Sequence, residues 1–182
     1  SLLYLQSKKS SDTMVIDALL ESQRRVKSMV LIHEKLYRSE DLVNIDYKHY
    51  ITALTNSLFR SYRLDMSRIT LETEIDEIKL STDSAIQCGL IINELVSNSI
   101  KHAFPGERKG TIKIKFSNDS DNSFKLQVSD NGVGIPKDFR IDNSETLGMQ
   151  LVNTLVDQMN GTLTVKNTTG STFTINFSVK NK

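Results

Sequence analysis

Asn93-Glu94-Leu95-Val96-Ser97-Asn98-Ser99-Ile100-Lys101-His102-Ala103-Phe104 is the stretch whose reading decides the fold. Leu90, Ile91, Leu95, Val96, Ile100 and Phe104 recur at helical spacing and make a broad apolar face. Asn93, Glu94, Ser97, Asn98, Lys101 and His102 crowd the other side. Glu94, Asn98 and Lys101 fall at i, i+4 and i+7, so they line one stripe. A carboxylate, an amide oxygen and an ammonium in a row suit a metal-bound polyphosphate: the oxygens face Mg²⁺ or water and the ammonium faces phosphate. A solvated helix face carrying a Glu–Lys pair fits the same residues, and the stripe alone does not separate the two.

Downstream, Pro105-Gly106 ends this helix, and Thr82 or Asp83 is expected to cap its start. Alternation predicts strands over Thr111–Ser117 and Phe124–Ser129, joined as a hairpin by the polar turn Asn118–Ser123. Then come Asp130-Asn131-Gly132-Val133-Gly134-Ile135-Pro136 and a polar loop to Thr146. A helix is predicted from Gly148 through Met159, followed by strands Thr162–Val165 and Thr172–Val179. Upstream, Ile69 to Leu80 reads as one or two strands and Asp46 to Tyr62 as a helix; Ser39 to Ile45 is a connector with a short strand at Val43–Ile45. Hairpin-joined strands with helices between them predict an α+β fold: a two-layer sandwich of a mixed sheet with helices on one face.

Before it lies a different pattern. Residues 1–8 read as the end of a helix, and Lys8-Lys9-Ser10-Ser11-Asp12 as a turn. A second helix runs to about Tyr37, with Val15, Leu19, Ser22, Val26, Met29, His33 and Leu36 alternating by four and three. That is the spacing of a bundle seam, with Arg24, Arg25, Lys27 and Lys35 outside it. The expected division is a partial helical hairpin over 1–40 and an α/β domain over 41–182. Ser1 opens inside an apolar helical pattern, so the start is expected to be a cut through a longer protein.

The chain has 182 residues, 38% of them hydrophobic and 25% charged, the composition of an ordinary globular protein. A net charge of +1 gives no bulk attraction to nucleic acid or to an anionic membrane. The single Cys88 excludes an internal disulfide and a cysteine-based zinc site. No apolar run reaches the ~18 residues of a membrane span.

Three further motifs bear on chemistry. Asp130-Asn131-Gly132-Val133-Gly134 follows a strand directly, where glycines let backbone approach a ligand and an aspartate can accept from an exocyclic amine. The same residues are good turn chemistry. No Gly-Lys-Ser/Thr follows, so this is not a P-loop. Leu147-Gly148-Met149-Gln150-Leu151-Val152 starts a helix whose N–H groups suit phosphate or simply an ordinary cap. Gly170-Ser171-Thr172-Phe173 enters the last strand, as a hairpin turn or with its threonine reaching a ligand.

Taken in order, the four elements resemble the ATP-binding domain shared by sensor histidine kinases, Hsp90, type II topoisomerases and MutL repair proteins, over about residues 65–180. Asn93 through Pro105 is most similar to the histidine kinases. Leu2-Leu3-Tyr4-Leu5-Gln6-Ser7, Ser22 through Met29, and Ile32 through Tyr37 resemble the second-type dimerisation and phosphoacceptor hairpin of the kinases related to the HWE group. The resemblance implies a protein-histidine kinase using ATP and Mg²⁺. Glu94 would be the general base or polarise the nucleophile, and Asn98 would ligate Mg²⁺. Asn93 would help hold the metal or phosphates, with Lys101 and His102 near phosphates. Asp130 would bind the adenine amino group, Gly132 and Gly134 would shape the pocket wall, and Gly148 would start the helix under the phosphates. Thr172 would complete the adenine site. Residues 137–147 would be a lid, short and with only Phe139 as an aromatic; Thr146 stands where many relatives have glycine.

The resemblance also implies a response regulator receiver domain as partner, a homodimer through the hairpin, no nucleic acid, no direct membrane contact by these residues, and a cytoplasmic location with room for a membrane segment upstream. The acceptor histidine is expected before Ser1. His33 falls on the seam and is expected to be packed rather than phosphorylated, and His49 to lie on the surface. An anti-sigma-type serine kinase shares the nucleotide fold without the hairpin, and a nucleotide-binding module without transfer is the other alternative.

Overall fold

The computed structural model describes residues 12–37, 47–62, 67–120, 122–136 and 146–179. The expected helix end over 1–8, the strand at Val43–Ile45 and most of the lid, Phe139 included, lie outside them, as does the side chain of His33.

The helices are α1 (Thr13–Tyr37), α2 (Tyr47–Ser61), α3 (Thr82–Asn98) and α4 (Leu147–Gln158). The strands are β1 (Ile69–Ile75), β2 (Gly110–Ser120), β3 (Ser123–Asp130), β4 (Thr162–Asn167) and β5 (Ser171–Ser178). They form one sheet in the order β1-β2-β3-β5-β4. β1 pairs parallel to β2 and every other pair is antiparallel, so the sheet is mixed as expected.

Alternation decides which face is covered. Ile112, Ile114 and Phe116 of β2, Phe124, Leu126 and Val128 of β3, and Phe173, Ile175 and Phe177 of β5 are all buried. Register sets Phe124 opposite Phe177, Leu126 opposite Ile175 and Val128 opposite Phe173. Phe116, Phe124 and Phe177 meet with ring centroids 5.5–6.4 Å apart. Ile91, Ile92, Leu95 and Val96 of α3 and Val152 and Val156 of α4 close the layer from above. The opposite face is polar: Lys113 reaches Glu74 at 2.5 Å and Lys115 reaches it at 3.7 Å. One apolar face and one wetted face give a two-layer α+β sandwich.

Two details of α3 depart from expectation. Its N-cap is Ser81, whose hydroxyl accepts from the Ser84 N–H at 3.3 Å; Thr82 is already helical, and Asp83 sits in the first turn, where a carboxylate favours the helix dipole. The helix also does not run unbroken to Pro105. After Asn98 it widens into a π turn over Ser99–Ala103. The hairpin turn between β2 and β3 is tighter than expected, with strand pairing continuing to Ser120 and Asn122 taking φ 64°.

Helix α1 lies against α2 and α3. Val15, Val26, Met29 and Val30 are 41–52% exposed, so the apolar seam faces away from the sandwich. The flank that carries Glu21, Ser22 and Arg25 faces it.

Candidate nucleotide site

At the end of β3 the Asp130 carboxylate is held by four donors. Oδ1 accepts from the Gly132 N–H (2.9 Å) and the Ser171 N–H (3.3 Å); Oδ2 accepts from the Ser99 hydroxyl (3.0 Å) and the Ser171 hydroxyl (2.5 Å). Three chain segments meet on one side chain. Ser99 is brought there by the π turn, and Ser171 by the β4–β5 turn. That turn passes close: a Cβ on Gly170 would stand 2.0 Å from the Asp130 carbonyl oxygen.

The loop after Asp130 is fixed from both sides. The Val133 N–H donates to the Ala103 carbonyl at 2.9 Å, and a Cβ on Gly132 would lie 2.3 Å from that oxygen. Gly134 takes φ 79°, a conformation glycine adopts at little cost. Asn167 clamps Ile135 by accepting its N–H (3.1 Å) and donating to its carbonyl (2.7 Å).

These segments enclose a cavity of about 350 Å³. Asp130, Ser171, Ser99, Asn98, His102 and Thr146 line it with polar groups; Ala103, Ile135, Met149 and Phe173 are among its apolar walls. A mostly apolar cleft of this size with few polar groups is the usual form of a small-molecule site. A second cavity of about 210 Å³ shares Asn98, His102 and Thr146 with the first. It is bounded by Glu21, Ser22, Arg25, Lys101 and Gly148.

The charges around this annex form a chain. Arg25 Nε donates to Glu94 Oε1 (2.9 Å) and Oε2 (3.0 Å), and its Nη2 donates to Glu21 Oε1 (2.6 Å). Lys101 Nζ reaches Glu21 Oε2 at 2.6 Å. Glu94 is buried and also accepts from Asn93 Nδ2 at 3.2 Å. The Asn93 amide oxygen is buried without a hydrogen-bond partner. Asn98 turns its amide nitrogen to the Met149 sulfur at 3.7 Å, which leaves its oxygen unspent by that contact. His102 keeps solvent contact, yet partial burial, and then the Lys101 charge against the weaker pull of Glu21, lowers its pKa below the ordinary 6.5. Gly148 is buried against the annex, where a Cβ would lie 2.7 Å from Glu94 Oε2 and 2.9 Å from Arg25 Nη2.

The geometry therefore gathers Asp130 and Gly134 at one end, Lys101 and Gly148 at the other, and Asn98 and His102 between them; Glu94 lies buried against Arg25 and lines neither cavity. Asn93 touches Glu94 but is buried behind it. Gly132 supports the loop from beneath through Asp130 and Ala103. Thr172 is not brought in: it pairs with Ser129 and Lys166, between the buried Ser171 and Phe173. The strand's period of two carried the signal, because an inward Phe173 requires an inward Ser171. Ser99, Met149 and Arg25 were also missed. Ser99 lay inside the decisive stretch and needed only the π turn to be seen; Arg25 meets Glu94 across 69 residues and had no local signal.

Mg²⁺ fits the donor set. Among the described residues no cluster of three or more His, Cys, Asp or Glu is arranged to hold a metal. An amide oxygen beside a charged annex suits an ion that keeps most of its shell as water and substrate oxygens.

A carboxylate pinned at one end of an apolar cavity, with a charged annex at the other, defines a nucleotide-binding ATPase module. The chain belongs to the histidine kinase-, DNA gyrase B-, and HSP90-like ATPase family, whose model matches residues 83–181; residues 1–62 match a histidine kinase model of the second dimerisation type. It is 33% identical over 171 residues to the sensor histidine kinase PdtaS of Mycobacterium tuberculosis, covering 90% of this chain and 32% of that protein. It is 31% identical over 107 residues to blue-light-activated histidine kinase 2 of Erythrobacter litoralis, covering 59% of this chain and 30% of that one. The chain thus spans about a third of the length of these relatives. The histidine kinase domain of the Erythrobacter litoralis EL346 blue-light-activated kinase superposes with TM-score 0.77 at 22% identity, over 97% of this chain and 82% of that one. No described helix is long and apolar enough to cross a membrane.

Proposed function

We propose that this chain is the catalytic part of a histidine kinase that binds Mg²⁺–ATP and passes its γ-phosphoryl group to a histidine of the hairpin. The observation that carries the reading is the joined pair of cavities, with Asp130 at one end and Lys101 and Arg25 at the other, Arg25 resting on the buried Glu94. Asp130 accepts from the adenine amino group, and the apolar walls take the ring. Asn98 would hold Mg²⁺ through its amide oxygen, where the ion would supply charge neutralisation to the phosphates, and Asn93 supports Glu94. Lys101 faces phosphate, and His102, held neutral at pH 7 by its lowered pKa, borders it without adding charge. Glu94, buried against Arg25, fixes and polarises that end of the site; the histidine nitrogen attacks the γ-phosphorus, the N–P bond forms, the bridging P–O bond breaks, ADP leaves, and the imidazole N–H proton passes to water.

The proposed division is hairpin over 1–40 and ATP-binding domain over 41–182, with the hairpin making a homodimer and its phosphohistidine serving an aspartate of a response regulator in the cytoplasm. The test is incubation of the full-length protein with γ-labelled ATP. Acid-labile, base-stable label is expected, lost in Glu94→Gln and in Asn98→Ala. Acid-stable label would place the phosphoryl on a hydroxyl and favour a serine kinase.

A further inference from the structure

We propose that Arg25 is a ligand for the terminal phosphate, so that the nucleotide site of the α/β domain is completed by a residue of helix α1. The inference rests on the nucleotide reading above and names a group that reading does not contain. Arg25 lines the annex at the end away from Asp130, where the tail of a triphosphate points if the base lies against Asp130. It is held in place before any ligand arrives: its side chain is 13% exposed and its Nε is seated on both oxygens of the buried Glu94.

The bonds to Glu94 and Glu21 engage Nε and Nη2. A guanidinium carries five N–H donors in a planar fork, so donors remain for a third anion. Gly148 keeps the way open, since a side chain there would collide with both Glu94 and Arg25. Charge supports the same assignment. Among the described residues, Arg25 and Lys101 face Glu21 and Glu94, and His102 is biased to its neutral form. An arriving phosphate uses those remaining donors and competes with the two carboxylates for the cations. Glu21 is the one that can leave: its side chain is 31% exposed against 3% for Glu94. Its departure frees Nη2 of Arg25 and Nζ of Lys101 together, two cations on the terminal phosphate.

The test is calorimetric titration of this chain with Mg²⁺–ATP and Mg²⁺–ADP, comparing the native protein with Arg25→Gln, Arg25→Lys and Glu21→Gln. Arg25→Gln should lower the ATP-over-ADP preference about tenfold, the size of one lost charged hydrogen bond, with ADP affinity kept. Arg25→Lys should restore part of it, and serves if the glutamine variant does not fold. Glu21→Gln should raise the preference, because it removes the competing anion. If Arg25 only clamps α1 to the domain, Arg25→Gln and Glu21→Gln each cut a cross-link and shift both nucleotides alike. An unchanged ratio in Arg25→Gln, or a shift of the same sign in both variants, overturns the proposal. A native chain that binds neither nucleotide overturns the nucleotide reading itself.

Discussion

Replacing Asp130 separates what its carboxylate does for the fold from what it does for a nucleotide. In Asp130→Ala the N–H groups of Gly132 and Ser171 lose their acceptor in a region where both residues are buried. Each of the two stranded donors costs roughly 1–3 kcal/mol, and the Ser99 and Ser171 hydroxyls can rotate, so the loss is about 2–6 kcal/mol. For a chain of this size that lowers Tm by roughly 4–24 °C. Asp130→Asn is different. Its oxygen can stay on both N–H groups, while its NH₂ replaces Oδ2 and the two hydroxyls turn to accept from it. Only the charge assistance is lost, about 1 kcal/mol, and Tm should fall by a few degrees. Nucleotide affinity should drop in both, because an amide NH₂ meets the adenine amino group donor to donor; the loss is about ten- to a hundredfold. Thermal unfolding followed by circular dichroism and titration with Mg²⁺–ATP read the two effects separately. An asparagine variant as unstable as the alanine one refutes the hydrogen-bond assignment, and one that binds at native strength refutes the adenine contact.

Gly132→Ala places a Cβ 2.3 Å from the Ala103 carbonyl and must break the Val133–Ala103 bond; a loss of roughly 1–3 kcal/mol is expected in urea unfolding, with weaker Mg²⁺–ATP binding. Native protein should react with a thiol reagent only as fast as it opens, because Cys88 is fully buried and burial raises its thiol pKa; rapid stoichiometric labelling would contradict the core placement. His102 should titrate below 6.5 by NMR, so its contribution to stability is complete above pH 6.5 and is lost as pH falls through the lowered value. Lys101→Met should move that titration upward by removing the repelling charge; no movement would show that Lys101 does not face His102.

What sequence reveals here tracks how local each cause is. The strands were legible because Ile112-Ile114-Phe116 and Phe173-Ile175-Phe177 alternate on their own, and the mixed sheet followed from their hairpins. Glu94, Asn98 and Lys101 were legible because a helix of period 3.6 sets their spacing, and the Asp130 loop because glycines announce close approach. The π turn was not, since nothing in Ser99-Ile100-Lys101-His102-Ala103 departs from ordinary helical residues; tertiary demands, the Ser99–Asp130 bond among them, accompany it. The strand's pleat turns Ser171 and Phe173 inward, so it is Ser171, not Thr172, that lines the cavity. The exposed apolar positions of α1, Val15, Val26 and Met29, have a periodicity that says only that the face needs covering, not by what. The neighbouring flank with Glu21, Ser22 and Arg25 is the one that meets the sandwich. Such a contact follows from charge, and charge pairs across 69 residues leave no period to read. A buried carboxylate on α3 nevertheless requires a cation. That cation is Arg25 of α1, so α1 and the buried carboxylate of α3 form one electrostatic unit.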